Sequence, residues 1–181
     1  MTLHDEIILA LVEQLEDITQ KICGKRLKKY ELEASVKDYG GKGKGVMDIV
    51  VEMEGGLKLI FEVETYVRHF KGRAVHYADV GQTLRQIKGY RDKLQSNTEF
   101  IAVIPSYDKK YSKLFLHEGI HVILWSAKIC YRCIRCGRIF HISTDNEFVE
   151  PFRCPEPTCG GKGPFTMEEI KVNFKILNNK V

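Results

Sequence analysis

The stretch "VMDIVVEMEGGLKLIFEVE", residues 46–64, constrains this chain more than any other. Two apolar runs flank Glu-Gly-Gly, and runs of this length joined by so short a turn read as paired strands. Successive side chains of a strand point to opposite faces, so Glu62 and Glu64 share a face while Val63 points into the other layer. Asp48 lies on the adjoining strand. If the two strands pair, three carboxylates converge, an arrangement of like charges that is unfavourable unless a cation sits among them. Mg²⁺ or Mn²⁺ suits such an oxygen donor set, and a hard divalent ion can activate water for attack on phosphorus. Polar residues also alternate on any half-exposed strand, so the pattern has a plain structural reading beside the chemical one.

Elements on either side of this pair predict an α/β fold, a mixed central sheet flanked by helices. Leu3, Ile7, Leu11, Leu15, Ile18 and Ile22 recur at helical spacing over 3–23, with Thr2 as N-cap and Gly24 as stop. "ELEASVKDYG" suggests a strand leading into the loop "GGKGKG" at 40–45, and the basic stretch "GKRLKKY" precedes it. Residues 66–78 show little periodicity and read as a loop or irregular lead-in to a helix over 80–94. "FIAVIP" at 100–105 and "IHVILW" at 120–125 read as buried strands around a helix over 109–118.

The order helix, strand, glycine-rich loop, Asp-bearing strand, turn, strand ending in Glu-Val-Glu, then helix resembles the PD-(D/E)xK nuclease superfamily, the restriction-endonuclease-like fold, over residues 1–125. That resemblance implies a Mg²⁺- or Mn²⁺-dependent deoxyribonuclease in which Asp48, Glu62 and the backbone carbonyl of Val63 hold the ion. Glu64 stands where the family has lysine, which implies a metal ligand or general base at that place. Gln86 and Tyr90 in "QTLRQIKGY" match the Q-x-x-x-Y motif of the exonuclease-like branch, with Gln82 on the same predicted side. Glu13 is the implied acidic contribution from the first helix, ahead of Glu6, and Lys88 is a candidate replacement lysine. Nucleases of this fold that cut both strands often dimerise, so a homodimer is an expectation as well.

A DNA partner has further support in the basic residues. Lys42 and Lys44 lie among glycines whose backbone N–H groups can approach a phosphate. Arg68, Lys71 and Arg73 alternate with aromatic residues, and with Lys88 they make the expected nucleic-acid contacts. Solvated lysines and core aromatics would give the same spacing. His69 and His76 are left outside the site.

Past residue 127 the texture changes to cysteine pairs, glycine and proline, which predicts a core over 1–127 and a zinc-ribbon-like module over 128–181 ending in a hairpin or strand, "EEIKVNFKIL". Cys133, Cys136, Cys154 and Cys159 occupy two turns, each followed by glycine, and four thiolates satisfy a tetrahedral Zn²⁺. Disulfides and an iron–sulfur cluster are the alternatives. Cys23 and Cys130 read as small buried residues.

The composition, with a formal charge of +4 and 44% hydrophobic residues, is that of a globular protein with only a mild preference for polyanions. No apolar run approaches the ~20 residues that span a bilayer, and the first residues lack a basic leader, so the expected location is cytoplasmic, without membrane attachment. A non-catalytic nucleic-acid or protein-binding module on a nuclease-like scaffold is the rival functional reading.

Overall fold

A computed structural model describes residues 2–39, 45–65, 67–70, 73–76, 80–94, 97–145, 148–149, 151 and 153–177; for 38–39, 67–70, 73–76 and 148–149 it describes the backbone alone. The chain begins with helix α1 (Leu3–Glu13), whose entry is closed by a capping box. The Asp5 N–H donates to Thr2 Oγ1 at 3.2 Å, and the Thr2 N–H donates to Asp5 Oδ2 at 2.7 Å. A single helix over 3–23 was the expectation; two are present. At Gln14 the backbone turns to φ −108°, ψ 8°, and its N–H swings back to Leu11 O at 3.2 Å before α2 (Leu15–Cys23) resumes. Apolar spacing is blind to this break, because Ile7, Leu11, Leu15 and Ile18 are buried on both sides of it. Gly24 ends α2 at φ 67°, in the left-handed region that suits glycine.

Next comes an antiparallel meander of β1 (Leu27–Ser35), β2 (Val46–Met53) and β3 (Lys58–Val63). The strand thus begins within the basic stretch "GKRLKKY", at Leu27, ahead of the start expected at "ELEASVKDYG". The turn between β2 and β3 uses Gly55 and Gly56 at φ 82° and 78°. Two short strands follow, β4 (Val67–Phe70) and β5 (Arg73–His76), which pair with each other where a loop was expected. Helix α3 (Val80–Arg91) then returns the chain to β6 (Thr98–Pro105), parallel to β3, and α4 (Ser112–His117) leads to β7 (His121–Cys133), parallel to β6. Strands β8 (Ile139–Ser143) and β10 (Phe165–Leu177) flank β7, and β9 (Phe148–Val149) joins β5.

The main sheet has the order β1-β2-β3-β6-β7-β10, with β8 also on β7. Its two faces carry separate cores. Ile49, Val51, Phe61, Ile101, Val103, Ile123 and Trp125 pack under α1 and α2, whereas Val50, Ile60, Ala102, Ile104, Val122 and Leu124 pack under α3 and α4. The architecture is thus α/β, a mixed sheet with helices on both sides.

The boundary expected after residue 127 falls inside β7. That strand runs without a break from the parallel core into the cysteine segment, and β10 pairs along it from Phe165↔Cys133 to Leu177↔Val122. Among the described residues no helix is long and apolar enough to cross a membrane.

Candidate functional site

Antiparallel register between β2 and β3, with Ile49 opposite Phe61, brings Asp48 level with Glu62 at the end of the pair. Glu62 alternates with Ile60 and so faces α3, and Glu64, one residue past the strand, faces the same way. Asp48, Glu62 and Glu64 line one cleft of about 260 Å³ together with Val63, Thr65, Gln86 and His4. The convergence expected from strand alternation is present.

Each carboxylate is held differently. Asp48 Oδ2 accepts a hydrogen bond from the Val63 N–H at 2.7 Å and lies 3.5 Å from His4 Nε2. That contact with the carboxylate raises the His4 pKa. Glu62 is 2% exposed; its Oε2 accepts from Gln86 Nε2 at 2.8 Å, while its Oε1 is buried with no hydrogen-bond partner among the described residues. Burial first, then the charges of Asp48 and Glu64, push the Glu62 carboxyl up to about 9. Glu64, 4% exposed, accepts a hydrogen bond from Thr83 Oγ1, and its carbonyl accepts from Trp125 Nε1 at 3.1 Å. Its N–H donates to Val103 O at 2.9 Å, which locks this residue to β6.

Helix α3 supplies the wall. Thr83, Gln86 and Tyr90 occupy the face turned to the sheet, at positions i, i+3 and i+7. Gln86 Nε2 donates to both Glu62 Oε2 and Tyr90 Oη, each at 2.8 Å, and Tyr90 Oη donates in turn to Val46 O at 2.7 Å. Tyr90, 4% exposed, is therefore a buried brace that ties α3 to the start of β2 and orients Gln86, rather than a residue that meets a substrate. Gly45 makes this close approach feasible: a Cβ there would lie 3.0 Å from Tyr90 Cε1 and 3.0 Å from Val36 Cγ2.

Other expected site residues lie elsewhere. Glu13 is exposed at the far end of α1, nine positions beyond His4, which is about 13 Å along the axis and half a turn round it. The first helix contributes His4 instead. Lys88, two positions past Gln86, points away from the cleft and pairs with Glu118 at 2.9 Å. Gln82 is exposed, and its neighbour Thr83 takes the inward place. Lys42, Lys44 and Lys71 lie outside the described residues, and Arg68 and Arg73 are described only as backbone of β4 and β5. His4 and Thr83 escaped the sequence reading. Thr83 was detectable in principle as the i−3 neighbour of Gln86, whereas His4 depends on how α1 docks.

Beyond the end of the parallel core, Cys133, Cys136, Cys154 and Cys159 bring their sulfur atoms within 4.8 Å of one another. The Cys133–Cys159 and Cys136–Cys154 separations are 3.8 and 3.7 Å. Four sulfurs at Zn–S distances of about 2.3 Å in a tetrahedron stand about 3.8 Å apart, so this cluster has the dimensions of a structural zinc site. Two tight turns build it. Gly137 and Gly160 take φ 73° and 55°, the Gly137 N–H donates to Cys133 O at 2.8 Å, and the Cys154 N–H donates to Gly161 O at 2.9 Å. Backbone N–H groups of Cys136 and Arg135 hold the Cys133 thiol down to about 7, whereas burial pushes the Cys154 thiol up to about 12, so without an ion the thiols do not all ionise together. The cluster could hold a metal ion such as zinc.

No family model, no curated protein and no solved structure matches the chain.

Proposed function

We propose that the chain is a metal-dependent deoxyribonuclease whose catalytic ion, Mg²⁺ or Mn²⁺, is held by Asp48, Glu62 and the Val63 carbonyl, with Glu64 completing the site. One observation carries the reading: Glu62 Oε1 is buried, has no hydrogen-bond partner among the described residues, and belongs to a cleft walled by two further carboxylates. Such an atom costs stability as it stands and suits a cation, so the residues present fit a hard divalent ion. When bound, the ion would supply an activated water and neutralise charge on the phosphate.

The protein's own groups have separate tasks. Gln86 fixes the rotamer of Glu62 through one oxygen and leaves the other for the ion. Val63, whose N–H anchors Asp48, sets the two strands in register at the site. Glu64, braced by Thr83, faces the cleft at the place where the superfamily resemblance has a lysine. His4 is the titratable group closest to Asp48 on the α1 side and is suited to exchange a proton near the scissile phosphate.

The test is cleavage of labelled single-stranded, duplex and branched DNA with Mg²⁺ or Mn²⁺. Asp48→Ala and Glu62→Gln are each expected to lower cleavage by at least about a hundredfold while leaving DNA affinity within a few-fold. Retention of full activity in both variants would remove the assigned roles. A non-catalytic binding module has one observation in its favour, since among the described residues no lysine lines the cleft. Binding without cleavage on every substrate would select it.

A further inference from the structure

The four-cysteine cluster borders a second cavity of about 350 Å³, lined by Ile134, Arg135, Gly161, Lys162, Gly163 and Pro164 together with Cys133. Its composition is unusual for an edge that only balances thiolate charge. Two nearby cations are already engaged, Arg132 with Glu168 at 3.0 Å and Arg138 with Glu156 at 3.7 Å. Arg135 and Lys162, the two that line the cavity, have no carboxylate within 4 Å among the described residues. Gly161 lies between the cluster and Arg135: a Cβ there would crowd Cys159 Sγ at 3.1 Å and would touch Arg135 Cδ at an ordinary contact distance of 3.4 Å, so the arginine stem runs directly over the second turn. Beside them Ile134 is 61% exposed, an apolar surface held out to solvent by the first turn.

Two cations with no carboxylate partner among the described residues, glycine backbone and one exposed apolar side chain match the parts of a nucleotide: phosphate, sugar and base face. We propose that this cavity is a DNA-binding subsite taking one nucleotide, remote from the cleft. The proposal rests on the nuclease reading for its orientation and adds to it a minimum substrate length. Trp125 of β7 is bonded to Glu64 at the cleft, and eight further residues of the same strand reach Cys133. At about 3.3 Å per residue that is about 26 Å. A DNA strand advancing about 3.4 Å per nucleotide covers this span in about eight nucleotides.

The experiment uses the full, zinc-loaded chain and fluorescein-labelled DNA of 4 to 20 nucleotides, single-stranded and duplex. Anisotropy is read in buffer without Mg²⁺ or Mn²⁺, and cleavage is read separately with Mn²⁺. Affinity is expected to rise in a step between about 6 and 10 nucleotides. The Arg135→Ala/Lys162→Ala double variant should lose the step and bind 12-mers about 15- to 30-fold more weakly at 0.15 M salt, with zinc content and affinity for the shortest strands unchanged. Ile134→Glu, at a side chain that packs on little, should lose the step too. No step in the wild type, the same step in the double variant, or loss of zinc without loss of DNA affinity would each overturn the proposal. Mn²⁺-dependent cleavage without a length step would leave the nuclease reading and remove the subsite; a step without cleavage would do the reverse; absence of DNA binding at every length would remove both.

Discussion

At the scale of single residues the decisive group is Glu62, because its environment works against its charge. The metal-free protein holds this carboxyl up to about 9 against an ordinary value of 4.5. Between those values the folded state keeps a proton that the unfolded state has lost, so folding stability falls as pH rises through that window, by at most about 1.4 kcal/mol per pH unit for one proton. Glu62→Gln, which mimics the protonated acid, is expected to flatten the dependence; urea unfolding at pH 5, 7 and 9 measures it. Mn²⁺ should stabilise the wild type increasingly toward pH 9 and leave the variant almost unmoved, and an identical metal response in both would argue against an ion at Glu62. Gly45 gives a second residue-scale expectation. Gly45→Ala places a methyl group 3.0 Å from buried Tyr90 and Val36, and should cost about 1–3 kcal/mol by urea unfolding. The carboxylates were legible from strand alternation alone. Thr83 was within reach of the same kind of reading, one helical turn before Gln86, whereas His4 was not, since it belongs to the site only through the docking of α1, which no local pattern encodes.

Among elements, the two cysteine turns are the ones that could be held by a metal ion such as zinc in addition to apolar burial. Cys133 and Cys136 lie at the end of β7 and just beyond it, and Cys154 and Cys159 come before β10, so the cluster closes the far end of the β7–β10 pair. Removing the metal with a strong chelator is expected to release one equivalent of zinc and to free that end. Hydrogen exchange should rise over residues 129–143 and 153–170 while β3 and β6 stay protected. Cys136→Ser, at the exposed cysteine of the cluster, should show the same local pattern without chelator. Uniform loss of protection would instead make the metal a condition of the whole fold. Sequence texture identified these turns well, because ligand spacing and glycine placement are local. It did less well with β1, β4 and β5. For β1 the loose alternation of "ELEASVKDYG" found the second half, whereas the start at Leu27 was missed because the residues from Lys28 to Glu33 are exposed and the strand is held by its pairing with β2.

For the whole molecule, the question is whether the change of composition after residue 127 marks a separable unit. Topology speaks against it. Strand β10 supplies Ile170, Val172, Phe174 and Ile176 to the same apolar cluster that contains Ile7 and Leu11 of α1 and Trp125 of β7. A chain ending at residue 127 would keep both helical layers but expose one edge of β7 and the apolar residues that β10 covers. Losing several partly buried side chains of this size removes on the order of 5 kcal/mol of transfer free energy, comparable to the entire stability of a small domain. The 1–127 fragment is therefore expected to lack a cooperative thermal transition, as read by circular dichroism, whereas full-length protein with the Cys136→Ser substitution should keep one. A fragment that melts cooperatively near the full-length temperature would show instead that the sheet through β7 is self-sufficient. The cleft would then fold without β10, and the cysteine segment would be an appendage joined only by a continuous strand.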